Sequence, residues 1–141
     1  MTINKFGHWL VPHDFDPDDY VGYIYIIKNN INNKQYVGRK QFKSLRRLKP
    51  LKGRVNKRHR YSDSDWRGYC GSSKSLLNDI NNSGWGNFTF TIIQLCKNKS
   101  QMSYFEAYYM FQYEVLTKCN SKGERMFYNQ NIPKVPCPPK L

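Results

Sequence analysis

Hydrophobic and polar residues alternate along two short stretches near the start of the chain, a pattern typical of β-strands. Residues 22–28 and 35–39 are rich in β-branched and aromatic side chains, which favour extended backbone. The intervening residues 29–34 are mostly asparagine, which tolerates turn conformations and bonds to its own backbone. The pattern therefore predicts an antiparallel β-hairpin.

Three more periodic segments follow later in the chain. A serine at position 72 or 73 can cap a helix that runs to residue 82, and residues 88–95 alternate as a third strand. The longest helix is predicted from residue 99 or 100 to 117, and residues 126–128 add a short closing strand. The buried stripe of that helix is expected to be Met102, Phe105, Tyr109, Gln112 or Tyr113, and Leu116.

These elements predict an α+β fold, with a small central antiparallel three-stranded sheet flanked by helices. The 141 residues suit one compact domain, expected over residues 22–132. Residues 1–21 hold four aspartates and two prolines and are expected to form an irregular N-terminal arm. Its acids either cover a basic surface of the same chain or are solvated, and we favour solvated. The tail, residues 133–141, is proline-rich and cannot continue a helix or central strand.

The charge balance indicates a polyanionic partner. The formal net charge is +13, and an excess of that size favours nucleic acid binding. No stretch approaches a membrane span or a basic amphipathic helix, so a membrane partner is not expected. The start of the chain lacks the features of a signal peptide, and we therefore expect a cytoplasmic protein.

The positive charge is concentrated in one segment directly after the hairpin. Eleven of the 22 residues from 39 to 60 are Lys or Arg, and none is acidic. Residues 41–48 are compatible with a helix, which Pro50 and Gly53 would end. Residues 51–65 are expected to form a mobile loop. We interpret the whole basic insertion, at about 39–65, as a phosphate-binding segment.

Candidate metal ligands are few. The four cysteines are 26, 23 and 18 residues apart and include no close pair for a zinc site, so reduced thiols are expected. Beyond the arm only six carboxylates remain. Glu106 follows Tyr104 and Phe105 on an aromatic helix, where a charge is costly without a partner. That partner is either an arginine in a salt bridge or a divalent metal ion.

Two tripeptides, Tyr23-Ile24-Tyr25 and, ten residues later, Tyr36-Val37-Gly38, resemble the paired signature of GIY-YIG nucleases. The resemblance covers about residues 21–132 and is closest to freestanding phage homing endonucleases with a basic insertion after the hairpin. Two positions depart from the family pattern. Tyr23 stands where the family has its first glycine, and Pro50 stands where it has a histidine. His59 of the basic segment is the candidate proton acceptor instead.

The resemblance implies a catalytic set of Tyr25, Tyr36, Arg46 and Glu106. It implies one Mg²⁺ or Mn²⁺ ion bound by Glu106, Arg46 on a first helix contacting the developing charge, and Tyr36 or Tyr25 orienting or deprotonating the attacking water. A late Tyr-Asn pair at 128–129 supports the site. The expected nucleic-acid-binding residues are Arg39, Lys40, Lys43, Arg47, Arg54, Lys57, Arg58 and Asn129.

The sequence thus predicts a metal-dependent DNA endonuclease of the phage or mobile-element homing or nicking type. Its partner is double-stranded DNA, cut by a monomer or a homodimer. The alternative is a non-catalytic nucleic-acid-binding module of the same fold, which the changed glycine and the missing histidine favour. A ribosomal or RNA-binding protein is a third interpretation, but no ribonucleoprotein aromatic motif is present.

Overall fold

A mixed four-stranded sheet between two helices forms the body of the chain. The computed structural model describes residues 5–48, 53 and 58–141. Its strands are β1 (Trp9–Leu10), β2 (Gly22–Asn29), β3 (Gln35–Gln41), β4 (Lys43–Leu48), β5 (Arg58–Asp63) and β6 (Phe88–Cys96), and its helices are α1 (Lys74–Ser83) and α2 (Lys99–Gln112). The sheet order is β1-β6-β2-β3. Neither helix is long and apolar enough to cross a membrane, within the part of the chain described.

The central strand β2 is buried on both faces, which explains its nearly continuous apolar sequence. Tyr23, Tyr25 and Ile27 pack on the side of α1, whereas Ile24 packs with residues of α2 on the other side. β2 pairs antiparallel with β3 and with β6. The predicted hairpin, the third strand and the α+β class are therefore confirmed.

The predicted three-stranded sheet gains a fourth strand from the N-terminal segment. Trp9 and Leu10 pair in parallel with Phe90 and Thr91 of β6, so the sheet is mixed rather than purely antiparallel. Trp9 and Phe15 are buried in the core, and the Trp9 indole donates to the Trp66 carbonyl at 2.6 Å. The prediction of an irregular arm is wrong for this stretch, because its large aromatic residues anchor it to the body.

The first half of the basic insertion is a strand instead of the expected helix. Lys43–Leu48 pairs antiparallel with Arg58–Asp63, and the two form a separate two-stranded sheet. The prediction of a mobile loop is likewise wrong for residues 58–63. Helix propensity is a weak preference, and the nearby partner strand satisfies backbone groups that a short isolated helix would leave to water.

The two predicted helices are confirmed, with a correction to the second. Ser73 caps α1 by accepting from the Leu76 amide at 3.3 Å. α2 ends at Gln112, and Val115 is buried while Leu116 is exposed. The buried residues of α2 are Met102, Glu106, Ala107 and Met110. The predicted buried stripe omits Glu106 only because its side chain is charged. The predicted closing strand is one bridge, from Phe127 to Gln35.

Candidate active site

A cavity of about 520 Å³ opens where the hairpin, the start of α1, α2 and residues 128–133 meet. Three of the four predicted catalytic residues line it, and they come from three different elements: Tyr25 from β2, Tyr36 from β3 and Glu106 from α2. Arg39, at the end of β3, and Lys74, at the start of α1, line the same cavity. The fold therefore brings two phenols, a carboxylate and two cations together.

The two tyrosines lie side by side, with ring centroids 6.2 Å apart. Gly38 is directly opposite Tyr25 in the hairpin. A Cβ atom at Gly38 would lie 2.6 Å from the Tyr25 ring carbon Cζ, so only glycine leaves room for the phenol. Gly71 has φ +88°, a conformation that favours glycine, and a Cβ atom there would lie 3.5 Å from both the Tyr25 hydroxyl oxygen and the Tyr36 ring.

The tyrosine hydroxyls differ in exposure. Tyr25 is 1% exposed, whereas Tyr36 is half-buried and its hydroxyl lies 3.3 Å from the Ser72 Oγ. Burial raises the pKa of both phenols, Tyr25 most strongly. For Tyr36 the hydrogen bond to Ser72 opposes the rise in pKa, and the nearby Glu106 carboxylate adds to it. Both hydroxyls therefore keep their protons at neutral pH, and Tyr36 is the one that a ligand can reach.

Glu106 is buried and forms a salt bridge. Its Oε1 lies 3.6 Å from the Arg39 Nε, and its side chain is 9% exposed. Burial raises the pKa of the Glu106 carboxyl, and the Arg39 guanidinium offsets part of that rise. Arg39 also donates to the Ser103 hydroxyl at 2.8 Å, which fixes the guanidinium beside the cavity. From the sequence, the partner of Glu106 could be an arginine or a metal ion. In the structure, Arg39 is a salt-bridge partner of Glu106.

The donor set around Glu106 fits a hard divalent ion. One carboxylate facing a cavity suits Mg²⁺ or Mn²⁺, which retain water ligands and take further oxygens from a substrate phosphate. Among the described residues, no group of three or more His, Cys, Asp and Glu side chains could form a metal site. A closed zinc-type site built only from protein ligands is therefore not present in that part of the chain.

Arg46 lies on β4, opposite Arg60, and not on the first helix that the resemblance implied. His59 lies opposite Arg47 on the same pair of strands. The structure gives the backbone register of these residues, and the catalytic role of Arg46 and the proton-accepting role of His59 remain predictions. Arg54 and Lys57 lie outside the described residues.

Two of the predicted phosphate ligands carry carboxylate partners in the free protein. Lys40 Nζ lies 3.0 Å from Asp65 Oδ1 and above the Tyr69 ring. Lys43 Nζ lies 3.0 Å from Asp18 Oδ1, in the N-terminal segment. Asp18 remains largely exposed at 70%, so this carboxylate is both solvated and in contact with a basic residue. Both pairs are accessible, and exposed ion pairs of this kind are weak.

Asn129 holds the strand β3 in place. Its Oδ1 accepts from the Val37 amide at 3.0 Å, and its Nδ2 donates to the Val37 carbonyl at 2.8 Å. These bonds satisfy the outer edge of β3, and Asn129 itself is 3% exposed. Asn129 also lines the cavity, so its predicted contact with nucleic acid stays a prediction. It supports the site by fixing the strand that carries Tyr36.

Sequence reasoning missed two polar groups of the cavity. Lys74 occupies the first position of α1, and no acidic residue lies in that first turn. A cation there faces the positive end of the helix dipole, which is unfavourable without a bound anion; this was the available signal. The second group is the hydroxyl of Tyr128, which lines the cavity. It accepts from the Asn29 amide at 3.1 Å and donates to Asp79 at 2.6 Å.

Comparison with known proteins gives the class: the chain belongs to the GIY-YIG family of nuclease domains. Residues 9–132 match a family model, which covers every strand and both helices. The matching family is the one described as "Putative endonuclease segE, GIY-YIG domain". Membership implies nuclease activity and a DNA substrate. No curated protein and no solved structure matches the chain.

Proposed function

We propose that this protein is a metal-dependent endonuclease that hydrolyses phosphodiester bonds in DNA, as a phage homing-type or nicking enzyme. The observation that carries the proposal is the convergence of Tyr25, Tyr36 and Glu106 on one cavity beside Arg39 and Lys74. Acidic, phenolic and cationic groups brought together in a cleft are the parts that phosphoryl transfer requires.

The scissile phosphate would lie in the cavity against its cationic wall. Lys74 and the amides of the first turn of α1 face an anion there, because the first amides of a helix have no intrahelical partner. Arg39, already held by Ser103, adds a planar donor suited to phosphate oxygens. These groups bind the substrate and stabilise the charge that develops on the phosphoryl oxygens.

Glu106 would hold a divalent ion, Mg²⁺ or Mn²⁺, one per site. When bound, such an ion polarises a phosphoryl oxygen and makes a coordinated water more acidic. Arg39 would then shift its interaction from the carboxylate to the phosphate, since at 3.6 Å the salt bridge is long for a hydrogen bond.

Tyr36 would orient the attacking water or the phosphate by donating a hydrogen bond. The raised pKa of its phenol keeps the hydroxyl protonated near neutral pH, so it can donate a hydrogen bond but does not act as the general base there. Tyr25 is almost completely buried and supports the position of the Tyr36 ring. His59 remains the proposed proton acceptor, and Arg46 the proposed additional donor to the developing charge.

The non-catalytic alternative is favoured by one observation, the salt bridge that occupies Glu106. A module that only binds nucleic acid would keep that salt bridge permanently and would not need a metal. The two functions differ in one measurable property, cleavage that depends on a divalent ion.

The test is incubation of supercoiled plasmid with the purified protein in Mg²⁺, Mn²⁺ or EDTA. We expect relaxed or linear product only with a metal, and the ratio of the two products separates nicking from double-strand cutting. Glu106→Gln should reduce cleavage to background while DNA affinity changes less than about twofold, because the amide keeps the shape but removes the charge that binds a metal.

Glu124→Gln is the matched control, since Glu124 is exposed and lies away from the cavity. It should cut like the wild type. Metal-dependent cleavage that persists in Glu106→Gln would remove Glu106 from the site. A wild-type protein that binds DNA but never cuts it would establish the non-catalytic module instead, and preferential cleavage of RNA would contradict a DNA substrate.

A further inference from the structure

The strands β4 and β5 form a two-stranded ribbon that is not part of the main sheet. Six residue pairs hold it, from Lys43 opposite Asp63 to Leu48 opposite Arg58. At about 3.4 Å per residue, six pairs extend roughly 20 Å. The major groove of B-form DNA is about 12 Å wide and admits a two-stranded ribbon of this kind.

Most of the ribbon combines basic residues on both strands, and its one acidic residue lies in the first pair. Beyond the first pair, its five remaining pairs contain no acidic residue. Arg46 lies opposite Arg60, and Arg47 lies opposite His59. Like charges at opposite positions of an antiparallel ladder are destabilising, and a lone two-stranded hairpin is at best marginally stable. A polyanion is the partner that would remove this repulsion.

The base of the ribbon is rigidly attached to the body. Phe42, between β3 and β4, is 1% exposed, as is Trp66, and their ring centroids are 4.8 Å apart. The Phe42 amide donates to the Val21 carbonyl at 3.0 Å, and the Ser64 amide donates to the Phe42 carbonyl at 2.9 Å. Both strands therefore leave the body at a fixed position.

A basic path joins the ribbon to the active-site cavity. A second cavity, of about 230 Å³, is lined by Arg39, Lys40, Lys43 and Ser44 among others. Arg39 lines both this cavity and the one with the tyrosines. A DNA strand whose phosphate occupies the active site would thus continue along Lys40 and Lys43 toward the ribbon.

We propose that the β4–β5 ribbon enters the major groove of duplex DNA beside the scissile phosphate and selects B-form DNA as the substrate. The inference rests on the proposed DNA endonuclease function and specifies its substrate class. Double-stranded RNA has a deep, narrow major groove that side chains cannot read, and a single strand offers no groove at all.

Groove entry can be tested by fluorescence anisotropy in EDTA with a 20-bp DNA duplex. A second duplex of identical sequence carries bulky C5-substituted pyrimidines, which fill the major groove because the C5 position lies there. The wild-type protein should bind the substituted duplex at least about tenfold more weakly, and duplex RNA or single-stranded DNA more weakly still. Equal affinity for the plain and substituted duplexes would overturn the inference.

The ribbon itself is tested by the double variant Arg47→Gln/Arg58→Gln, with Lys118→Gln/Lys122→Gln as the charge-matched control that does not line either cavity. The ribbon variant should lose the discrimination between the two duplexes, whereas the control should keep it. A ribbon variant that still discriminates tenfold would contradict the assignment.

Failure of this inference and failure of the proposed function are distinguishable, because binding in EDTA needs neither metal nor cleavage. A protein that binds as expected here but never cuts plasmid would overturn the proposed function alone. A protein that cuts plasmid but ignores the groove substitution would overturn the ribbon alone.

Discussion

The active-site cavity and the β4–β5 ribbon are the two regions proposed to contact DNA phosphates, and they are built in opposite ways. The cavity is set into a packed sheet, and its groups are fixed by burial: Tyr25 and Asn129 are almost inaccessible. The ribbon forms a sheet of its own, and five of its six cross-strand pairs contain no acidic residue. The two constructions suit the two proposed tasks. The cavity would position reacting groups, which requires a rigid core, and the ribbon would attract DNA, which requires exposed charge.

Arg46 lies on the ribbon but is proposed to act in the cavity. Its substitution therefore tests whether the two regions have separate tasks. Arg46→Ala should lower the single-turnover cleavage rate by about 10²-fold or more, the usual cost of removing a transition-state donor. Arg46→Lys should recover little, because an ammonium lacks the forked geometry. A change in DNA affinity alone, with a normal cleavage rate, would assign Arg46 to the ribbon's binding task.

Tyr36→Phe tests whether the accessible hydroxyl of the cavity does chemical work. We expect a loss of about 10²-fold in single-turnover rate, with unchanged DNA affinity and thermal stability, because only a hydroxyl is removed. The matched control is Tyr104→Phe, whose phenol is on the exposed face of α2. If Tyr25→Phe were the more damaging change, the attacking water would have to lie against Tyr25.

Asn129→Ala tests how far the cavity depends on the packed body. Two hydrogen bonds to Val37 would be lost, and leaving buried backbone groups unsatisfied should lower the free energy of unfolding by about 2 to 4 kcal/mol. Urea titration measures this, with exposed Asn131→Ala as the control. Amide exchange should accelerate in β3 more than in the ribbon. Equal acceleration in both would show that the two regions are not independent.

Lys74→Ala should have the smallest effect of the series. Removing one exposed cation from the cavity wall should lower kcat/KM by about tenfold at low salt, which corresponds to about 1.4 kcal/mol. The difference should shrink as salt is added, since exposed charges are screened. Lys118→Ala, away from the cavity, should cut normally. A Lys74→Ala protein with wild-type kcat/KM at low salt would exclude a phosphate contact at this position.

The local pattern of hydrophobic and polar residues was sufficient to predict the strands that carry Tyr25 and Tyr36. Alternation predicted the hairpin and β6, and a serine cap predicted α1, because each depends on neighbouring residues. The ribbon could not be predicted, since Lys43–Leu48 is a strand only through pairing with residues 58–63. β1 was missed for the same reason: two residues have no period, and their place depends on Phe90 and Thr91 far along the chain.

Site residues could be predicted where the residue type alone indicates a chemical role. They were missed where the role depends on which elements lie side by side in the fold. Glu106 was suspect because a charge on an aromatic helix needs a partner, and its partner is Arg39. The role of Asn129 could not be derived, because it depends on the free edge of β3, which only the sheet order reveals. Lys74 was overlooked because the available signal, a cation in a helix first turn that has no acidic residue, does not show which cavity the side chain lines.

The pairing of Trp9 with Phe90 joins residues that are 81 positions apart, 90 minus 9. Contacts between such distant residues slow folding, because a long loop must close before they form. During synthesis the edge of the sheet cannot be completed until β6 has been made. The basic segment, residues 39–60, is therefore synthesised before the sheet that carries it can be completed.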